Sequence, residues 1–339
     1  MKALLHDLSR AELEAACREA GAPAYRAGQA WQWLYKQRVR DWDSMANLPK
    51  ALRERLSDAY DVCGTRTVAV EGEAGATRKL VLEMRDGQRV ECVLIPAEDR
   101  YTLCVSTQVG CKFGCAFCAS GQDGFMRDLT AGEIVIQFLE AARHVDAPIT
   151  HIVFMGMGEP FDNYDNVIKA IRIFNDDDGL NIGARRMTIS TCGVIDGIKR
   201  LQGEGIQVEL SVSLHSVDPD LRTELIPVNQ RYPVDELLDA CRAYARKTRR
   251  IITFEYTLID GVNDGLDDAT RLAASLADLP CRVNVIPLSP VAEYEGKTPS
   301  GNRVHRFAQM LNQAGVHCTI RKSKGSKVQA ACGQLRRSL

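Results

Sequence analysis

The spacing of apolar residues changes twice along the chain. Over residues 1–60 they recur at three and four positions, the period of helices with one buried face. Ser9 followed by Glu12 forms a capping-box pattern, Gly21 stops that helix, and Tyr25 to Arg38 repeats the helical spacing. Trp31, Leu34 and Tyr35 fall on one face with Trp33 beside it, which predicts a small helical bundle around an aromatic core. Lys79 to Met84 and Val90 to Ile95 then read as two strands flanking Asp86-Gly87, whose positive φ angles suit a tight hairpin.

From about residue 100, short apolar runs near 101–106, 151–156, 187–192, 208–214, 251–259 and 283–288 alternate with amphipathic stretches around 130–144, 163–175, 194–203, 233–247, 265–277 and 301–314. Six βα units in series imply parallel strands with right-handed crossovers. The fold class expected is α/β, a doubly wound sheet or a (βα)6 partial or full barrel, with a small amino-terminal helical domain. Both architectures gather chemistry at the carboxyl ends of the strands. The domains expected are 1–62 (helical), 63–98 (hairpin connector) and 99–339 (βα body), with Leu288 to Gly301 the longest linker-like stretch.

Composition narrows the chemistry. At 339 residues, 45% hydrophobic and 26% charged, the chain can bury a sizeable core, and no apolar run approaches membrane-spanning length. Asp7, Arg10 and Glu12 stand where a secretory signal would need an apolar run, so a cytosolic protein without a membrane partner is expected. Twelve cysteines in a reducing compartment point to a metal or redox chemistry rather than a disulfide scaffold. Residues 301–339 carry Arg303, Arg306, Arg321, Lys322, Lys324, Lys327, Arg336 and Arg337 with no acidic residue, on a chain of net charge −1. Such a basic end fits either phosphate binding or a solvated charged tail.

Cys111, Cys115 and Cys118 form C-x3-C-x2-C on a loop after the first strand of the series. Structural zinc and ordinary iron–sulfur carriers use four protein ligands, so three cysteines leave one iron of a [4Fe-4S] cluster free for a small molecule. Buried structural cysteines, or a zinc knuckle completed from a distance, are the alternative. Phe117 precedes the third cysteine, as in the radical S-adenosylmethionine (SAM) superfamily. Met155-Gly156-Met157-Gly158-Glu159-Pro160 follows the second strand, and its glycines let the backbone approach a ligand closely. Glu159 reads equally as a ligand contact or a salt-bridge residue.

These motifs, together with Trp31-Gln32-Trp33-Leu34-Tyr35-Lys36, Leu103 to Cys111, Ser213-Leu214-His215 and Ala330-Ala331-Cys332-Gly333-Gln334-Leu335, make the sequence closely resemble the RlmN/Cfr family of radical SAM rRNA adenine methyltransferases over nearly its whole length. The resemblance implies a [4Fe-4S] cluster on Cys111, Cys115 and Cys118, two SAM molecules per turnover, rRNA and also tRNA as substrate classes, and a flavodoxin-type electron donor. It further implies that Cys332 takes a methyl group from one SAM and that a radical from the second SAM removes a hydrogen from it. The resulting carbon radical would add to adenine, and Cys104 would release the product by forming a disulfide with Cys332. Glu91 matches the proton acceptor, whereas strand alternation alone reads it as outward-facing. Gly158, Glu159, Ser190, Ser213, Leu214, His215 and Ser289 would line the SAM site; His215 by itself reads as a satisfied strand-end histidine.

Ser289-Pro290 stands where the family has Asn-Pro, and Ser326-Lys327-Val328-Gln329 replaces the acidic residues usual before the methyl-carrying cysteine. Methylation at adenine C2 is the default expectation. C8 methylation, another radical SAM substrate, or a non-catalytic iron–sulfur RNA-binding module are the alternatives. Cys17, Cys63, Cys92, Cys192, Cys241, Cys281 and Cys318 match no catalytic position and are expected to be small buried hydrophobes.

Overall fold

The computed structural model describes residues 2–122, 124–321, 324–325 and 328–336. The amino-terminal segment forms α1 (Arg10–Glu19), α2 (Tyr25–Tyr35) and α3 (Lys50–Ala59), flanked by the short parallel pair β1 (Ala3–Leu4) and β2 (Tyr60–Asp61). The capping box is made: Ser9 Oγ accepts from Glu12 N–H, and the Glu12 carboxylate accepts from Ser9 N–H. Trp31 and Tyr35 pack edge to face at 4.5 Å inside the bundle. Trp31 Nε1–H also donates to Asp176 in the α/β body, so the aromatic core reaches across to its neighbour.

Next come β3 (Arg66–Glu71), β4 (Arg78–Glu83), β5 (Arg89–Ala97) and β6 (Arg100–Cys104), then a small antiparallel pair, β7 (Gln108–Gly110) and β8 (Phe125–Asp128). The alternating series follows: α4 (Ala131–Ala141), β9 (Ile149–Phe154), α5 (Tyr164–Asn175), β10 (Met187–Thr191), α6 (Ile195–Leu201) and β11 (Glu209–Ser213). It continues with α7 (Pro219–Leu225), α8 (Val234–Thr248), β12 (Ile252–Leu258), α9 (Leu266–Leu276), β13 (Cys281–Pro287), α10 (Gly301–Gln313) and β14 (Cys318–Ile320). The six expected strands and six expected helices all form within a few residues of their predicted bounds. β3, α7 and β14 are additional, as are the short pairs β1–β2 and β7–β8.

Among the described residues the strands make one ten-stranded sheet, ordered β14-β13-β12-β11-β10-β9-β6-β5-β4-β3. Pairing is parallel from β6 to β14 and antiparallel from β3 to β6. The hairpin strands therefore extend the main sheet. Their turn departs from the expected geometry: only Gly87 takes a positive φ, while the Asp86 carboxylate accepts from Gln88 N–H.

The sheet curls without closing. Thr77, Ile95–Ala97 and Thr102 from its antiparallel end face Asn284, Thr319 and Ile320 from the β13–β14 end across a shared cavity. Every residue of α4 is buried, because the helical bundle covers its outer face: Asp7 accepts from Gly132 N–H, and Arg40 pairs with Glu140 at 2.9 Å. No helix among the described residues is long and apolar enough to cross a membrane.

Candidate active site

Five successive parallel strands, β9 to β13, deliver polar residues to one end of the sheet, and the cysteine loop folds over them. A cavity open to solvent is lined there by Cys111, Cys115, Cys118, Gly158, Glu159, Ser190, Ser213, His215, Ser289 and Cys332. Residues separated by more than 200 positions thus meet at one site, because the polar residues sit at strand ends of one sheet and the cysteine loop, leaving the separate β7–β8 pair, folds over them. Leu214 is the exception among the expected lining residues. It is fully buried behind the wall, its N–H donating to Glu255 O.

The cysteine loop is fixed by backbone bonds on three sides: Cys111 N–H to Gly124 O, Ala116 N–H to Leu225 O and Ala119 N–H to Gly333 O. Burial raises all three thiols, Cys111 to about 12, so each is a poor thiolate until a metal draws off its proton. Among the described residues no three His, Cys, Asp or Glu side chains gather tightly enough for a single ion. A multi-iron cluster would suit these three thiols better than a single ion, since it would take one cysteine on each of three irons. Behind the loop lies the fully buried Arg222, whose guanidinium donates to Cys192 O, Ser213 O and Asn229 Oδ1. Desolvation lowers its pKa to about 10, still cationic at neutral pH, and its charge faces the side where thiolates would form.

Glu159 is no salt-bridge residue among the described pairs. Its carboxylate accepts from Phe161 N–H and Cys192 N–H, which partly offsets the upward pKa push of burial. Gly158 next to it has φ +95°, and a Cβ there would lie 2.5 Å from Gln108 Cβ. Only glycine permits this close passage of the two strand ends.

His215 also takes a left-handed conformation, at φ +57°. Asn263 holds it there, donating to His215 O and Thr257 O while accepting from Ile259 N–H. His215 Nδ1 accepts from Thr257 N–H, which leaves the proton on Nε2; burial lowers the pKa to about 3, so the ring stays neutral. Phe117 packs edge to face on it at 4.9 Å. The strand-end histidine is thus satisfied on one nitrogen and lines the cavity as well.

Cys332 has an exposed side chain, on a loop tied to the body by Ala119 N–H to Gly333 O, Ser120 Oγ–H to Leu335 O and Gln334 Nε2–H to Pro290 O. Cys104 lies within β6, between Val93 of β5 and Val153 of β9. Desolvation raises it to about 12, and the nearby Cys332 pushes in the same direction; Arg321 opposes the rise at both thiols. Glu91 is 1% exposed, which corrects the outward-facing reading: β5 is covered on both faces, so alternation exposes neither set. It pairs with buried Lys79 at 3.0 Å and accepts from Arg336 N–H, four residues beyond Cys332.

Three expectations for other cysteines need correcting. Cys63 is exposed, its sulfur accepting from Arg40, half-buried Cys192 lines the cavity, and Cys281 is also only half-buried. Of the basic carboxyl-terminal residues, Arg303, Arg321 and Arg336 pair with Asp260, Glu255 and Glu293. Lys322, Lys327 and Arg337, with Ser326 of the departing tetrapeptide, lie outside the described residues. Sequence reading missed Arg222, Asn263 and Glu255.

The parallel sheet, three-cysteine loop and glycine-lined cavity are those of a radical SAM protein. Residues 105–273 match the Radical SAM superfamily, whose cofactors are a [4Fe-4S] cluster and SAM, and residues 4–62 match the “Ribosomal RNA large subunit methyltransferase N-terminal domain”. More narrowly, the chain belongs to the RlmN family. It is 46% identical over 96% of its length to “Probable dual-specificity RNA methyltransferase RlmN 3” of Opitutus terrae, covering 91% of that protein. It is 45% identical over 98% of its length to an RlmN of the same description from Moorella thermoacetica, covering 96% of it. A crystal structure of a radical SAM methyltransferase from Sphaerobacter thermophilus superposes with a TM-score of 0.94 at 46% identity, covering 98% of this chain and 99% of that one.

Proposed function

We propose that this protein methylates C2 of an adenine in RNA through a methyl-carrying cysteine. The observation that carries the reading is that Cys332 lines the same cavity as Cys111, Cys115 and Cys118. When bound, the cluster and SAM supply a methyl group and a hydrogen-abstracting radical.

The protein's own residues supply the rest. C2 of adenine is an electron-poor amidine carbon, so a polar methyl transfer to it fails, and the methyl must be carried on a thiol that reaches both SAM and the base. Cys332 is that carrier. Once the adduct radical has given up one electron and its ring proton, the Cys104 thiolate, fixed in its strand, attacks the adduct sulfur: the Cys104–Cys332 bond forms, the sulfur–methylene bond breaks, and the electron pair left on that carbon takes a proton to give the methyl group. Glu91 accepts the ring proton from its position near the Cys332 loop. Gly158, Glu159, Ser190, Ser213, His215 and Ser289 hold SAM by the backbone and hydroxyl contacts that the cavity offers, with Leu214 backing the wall behind them. The small helical domain and the carboxyl-terminal segment contact RNA, and a looped or bulged adenine is favoured because the base must leave its stack. The relatives' description as dual-specificity RNA methyltransferases supports more than one RNA substrate, which we take to be rRNA and tRNA. The setting is cytosolic, with a small one-electron donor of flavodoxin type.

The test is anaerobic reconstitution with iron and sulfide, followed by mass spectrometry of adenosines from total RNA incubated with SAM and reductant. 2-Methyladenosine is expected; 8-methyladenosine, or SAM cleavage with unmodified RNA, overturns the assignment. In the Cys104→Ala variant a covalent protein–RNA adduct should accumulate.

A further inference from the structure

A polar chain crosses the wall beside Cys332. Glu255, midway along β12, stands in register with Ser213 on one side and Asn284 on the other, its side chain only 7% exposed. Its Oε1 accepts from Ser211 Oγ at 3.0 Å and Asn284 Nδ2 at 3.1 Å. Thr319 Oγ donates to Asn284 Oδ1 at 2.7 Å, which fixes the orientation of that amide. The second oxygen, Oε2, is buried with no hydrogen-bond partner among the described residues, and Glu255 lines the first cavity. A buried carboxylate oxygen left without a donor is an acceptor built for something that enters. Arg321, 3.7 Å from Glu255 Oε1, borders this cavity and the second one, as do Cys332, Ser289 and Ile286.

We propose that Glu255 and Arg321 are the base-selecting pair: Glu255 accepts an amino N–H of the target base, and Arg321 donates to its neighbouring ring nitrogen. The inference rests on the function proposed above and names how that site chooses its substrate. Along one edge adenine presents its amine, N1 and C2 in succession, so a base with C2 at Cys332 offers one donor and one acceptor to the adjoining wall. Guanine and hypoxanthine present an oxygen and an N–H at those two places. Their oxygen would face a carboxylate and their N–H a guanidinium, leaving both protein groups unpaired in a buried site. Asn284, Ser211 and Thr319 act as positioning residues by occupying Oε1 and so turning Oε2 toward the base.

The test uses a loop RNA that the wild-type protein methylates, synthesised with adenosine, purine riboside or inosine at the target. Purine riboside keeps N1 and the C2–H but lacks the amine. Binding to the reconstituted, unreduced protein is read by fluorescence anisotropy, and methyl transfer by mass spectrometry. Wild type should favour adenosine over purine riboside by about tenfold or more in both readouts. In Glu255→Gln the amide oxygen stays with Ser211 and Asn284, and the NH2 replaces Oε2. The preference should then fall to within about twofold. Equal handling of adenosine and purine riboside by the wild type overturns the proposal without any variant. An unchanged ratio in Glu255→Gln, with weaker SAM binding by equilibrium dialysis, overturns it by assigning Oε2 to the cofactor. Absence of methylation on every RNA tested is a different result, which removes the methyltransferase reading and this inference with it.

Discussion

Replacing Lys79 with Met would test whether Glu91 is held as an ion-paired carboxylate. Lys79 Nζ lies 3.0 Å from Glu91 Oε1, with the two side chains 6% and 1% exposed, and Glu91 Oε2 accepts from Arg336 N–H at 3.0 Å. Stripping one partner from a buried pair costs about 3–5 kcal/mol, because the remaining charge is left uncompensated. The Arg336 N–H persists and Met fills the volume of the lysine stem, so we expect the lower end, about 3 kcal/mol. Unfolding entropy of about 2.1 cal/mol/K per residue over 339 residues converts that loss to a fall of about 4 °C in Tm. The assay is differential scanning calorimetry of cluster-loaded protein at one scan rate. Glu91→Gln should cost about 2 kcal/mol, since Lys79 keeps Glu71 at 3.3 Å. The double variant restores a neutral pair and should lose less than the sum of the single losses by about 2 kcal/mol or more. Strictly additive losses would refute the direct coupling.

Gly158→Ala should weaken SAM binding by more than about tenfold with iron content unchanged, since a Cβ there meets Gln108 at a φ of +95°. Gly114→Ala in the cysteine loop, where the added Cβ has open space, should cost only the left-handed φ, about 1 kcal/mol. Asn263→Ala leaves Ile259 N–H and the His215 and Thr257 carbonyls without their side-chain partner, and should lose about 3 kcal/mol in thermal denaturation together with SAM affinity. Burial holds His6 down at about 4, with neither ring nitrogen bonded, so the unfolded chain takes up a proton that the folded one refuses between pH 6.5 and 4. Stability is full above that window and falls through it by up to about 1.4 kcal/mol per pH unit from this group. His6→Phe should flatten the acid limb of a Tm-against-pH curve by that amount, and an unaltered limb would count against the cause.

The alternating body was legible because each of its helices carries a clear apolar stripe and each of its principal strands a short apolar run. β3 escaped because Arg66–Glu71 is an edge strand with most of its side chains partly or fully exposed, and β14 because three residues are too few to show a period. Chemistry concentrated in adjacent residues, such as the cysteine loop and the Gly158-Glu159 turn, could be read directly. Chemistry assembled across strands could not. Arg222 looks like a surface arginine on a short amphipathic helix, and only the fold turns it inward beneath the cysteine loop. Glu255 sits in a strand buried at every position, where a charged residue breaks the apolar run. That break was the available signal, since a carboxylate is rarely buried without partners. Glu91 was misread by alternation for the same reason, its strand being covered on both faces.

The two thiols proposed to form the disulfide are mounted very differently. Cys104 belongs to a strand laced to neighbours on both sides, whereas the described ties of the Cys332 loop to the cysteine loop and its surroundings are a few single bonds through Gly333, Gln334, Leu335 and Arg336. Cys104 is an anvil and Cys332 a hammer: whatever distance the sulfurs must close is travelled by the loop. Because Gly333 O is bonded to Ala119 N–H just past Cys118, a stroke of that hammer would pull on the cysteine loop. The oxidised protein should therefore exchange the Ala119 amide faster than the reduced one, making the spent state readable at a backbone amide rather than at either sulfur.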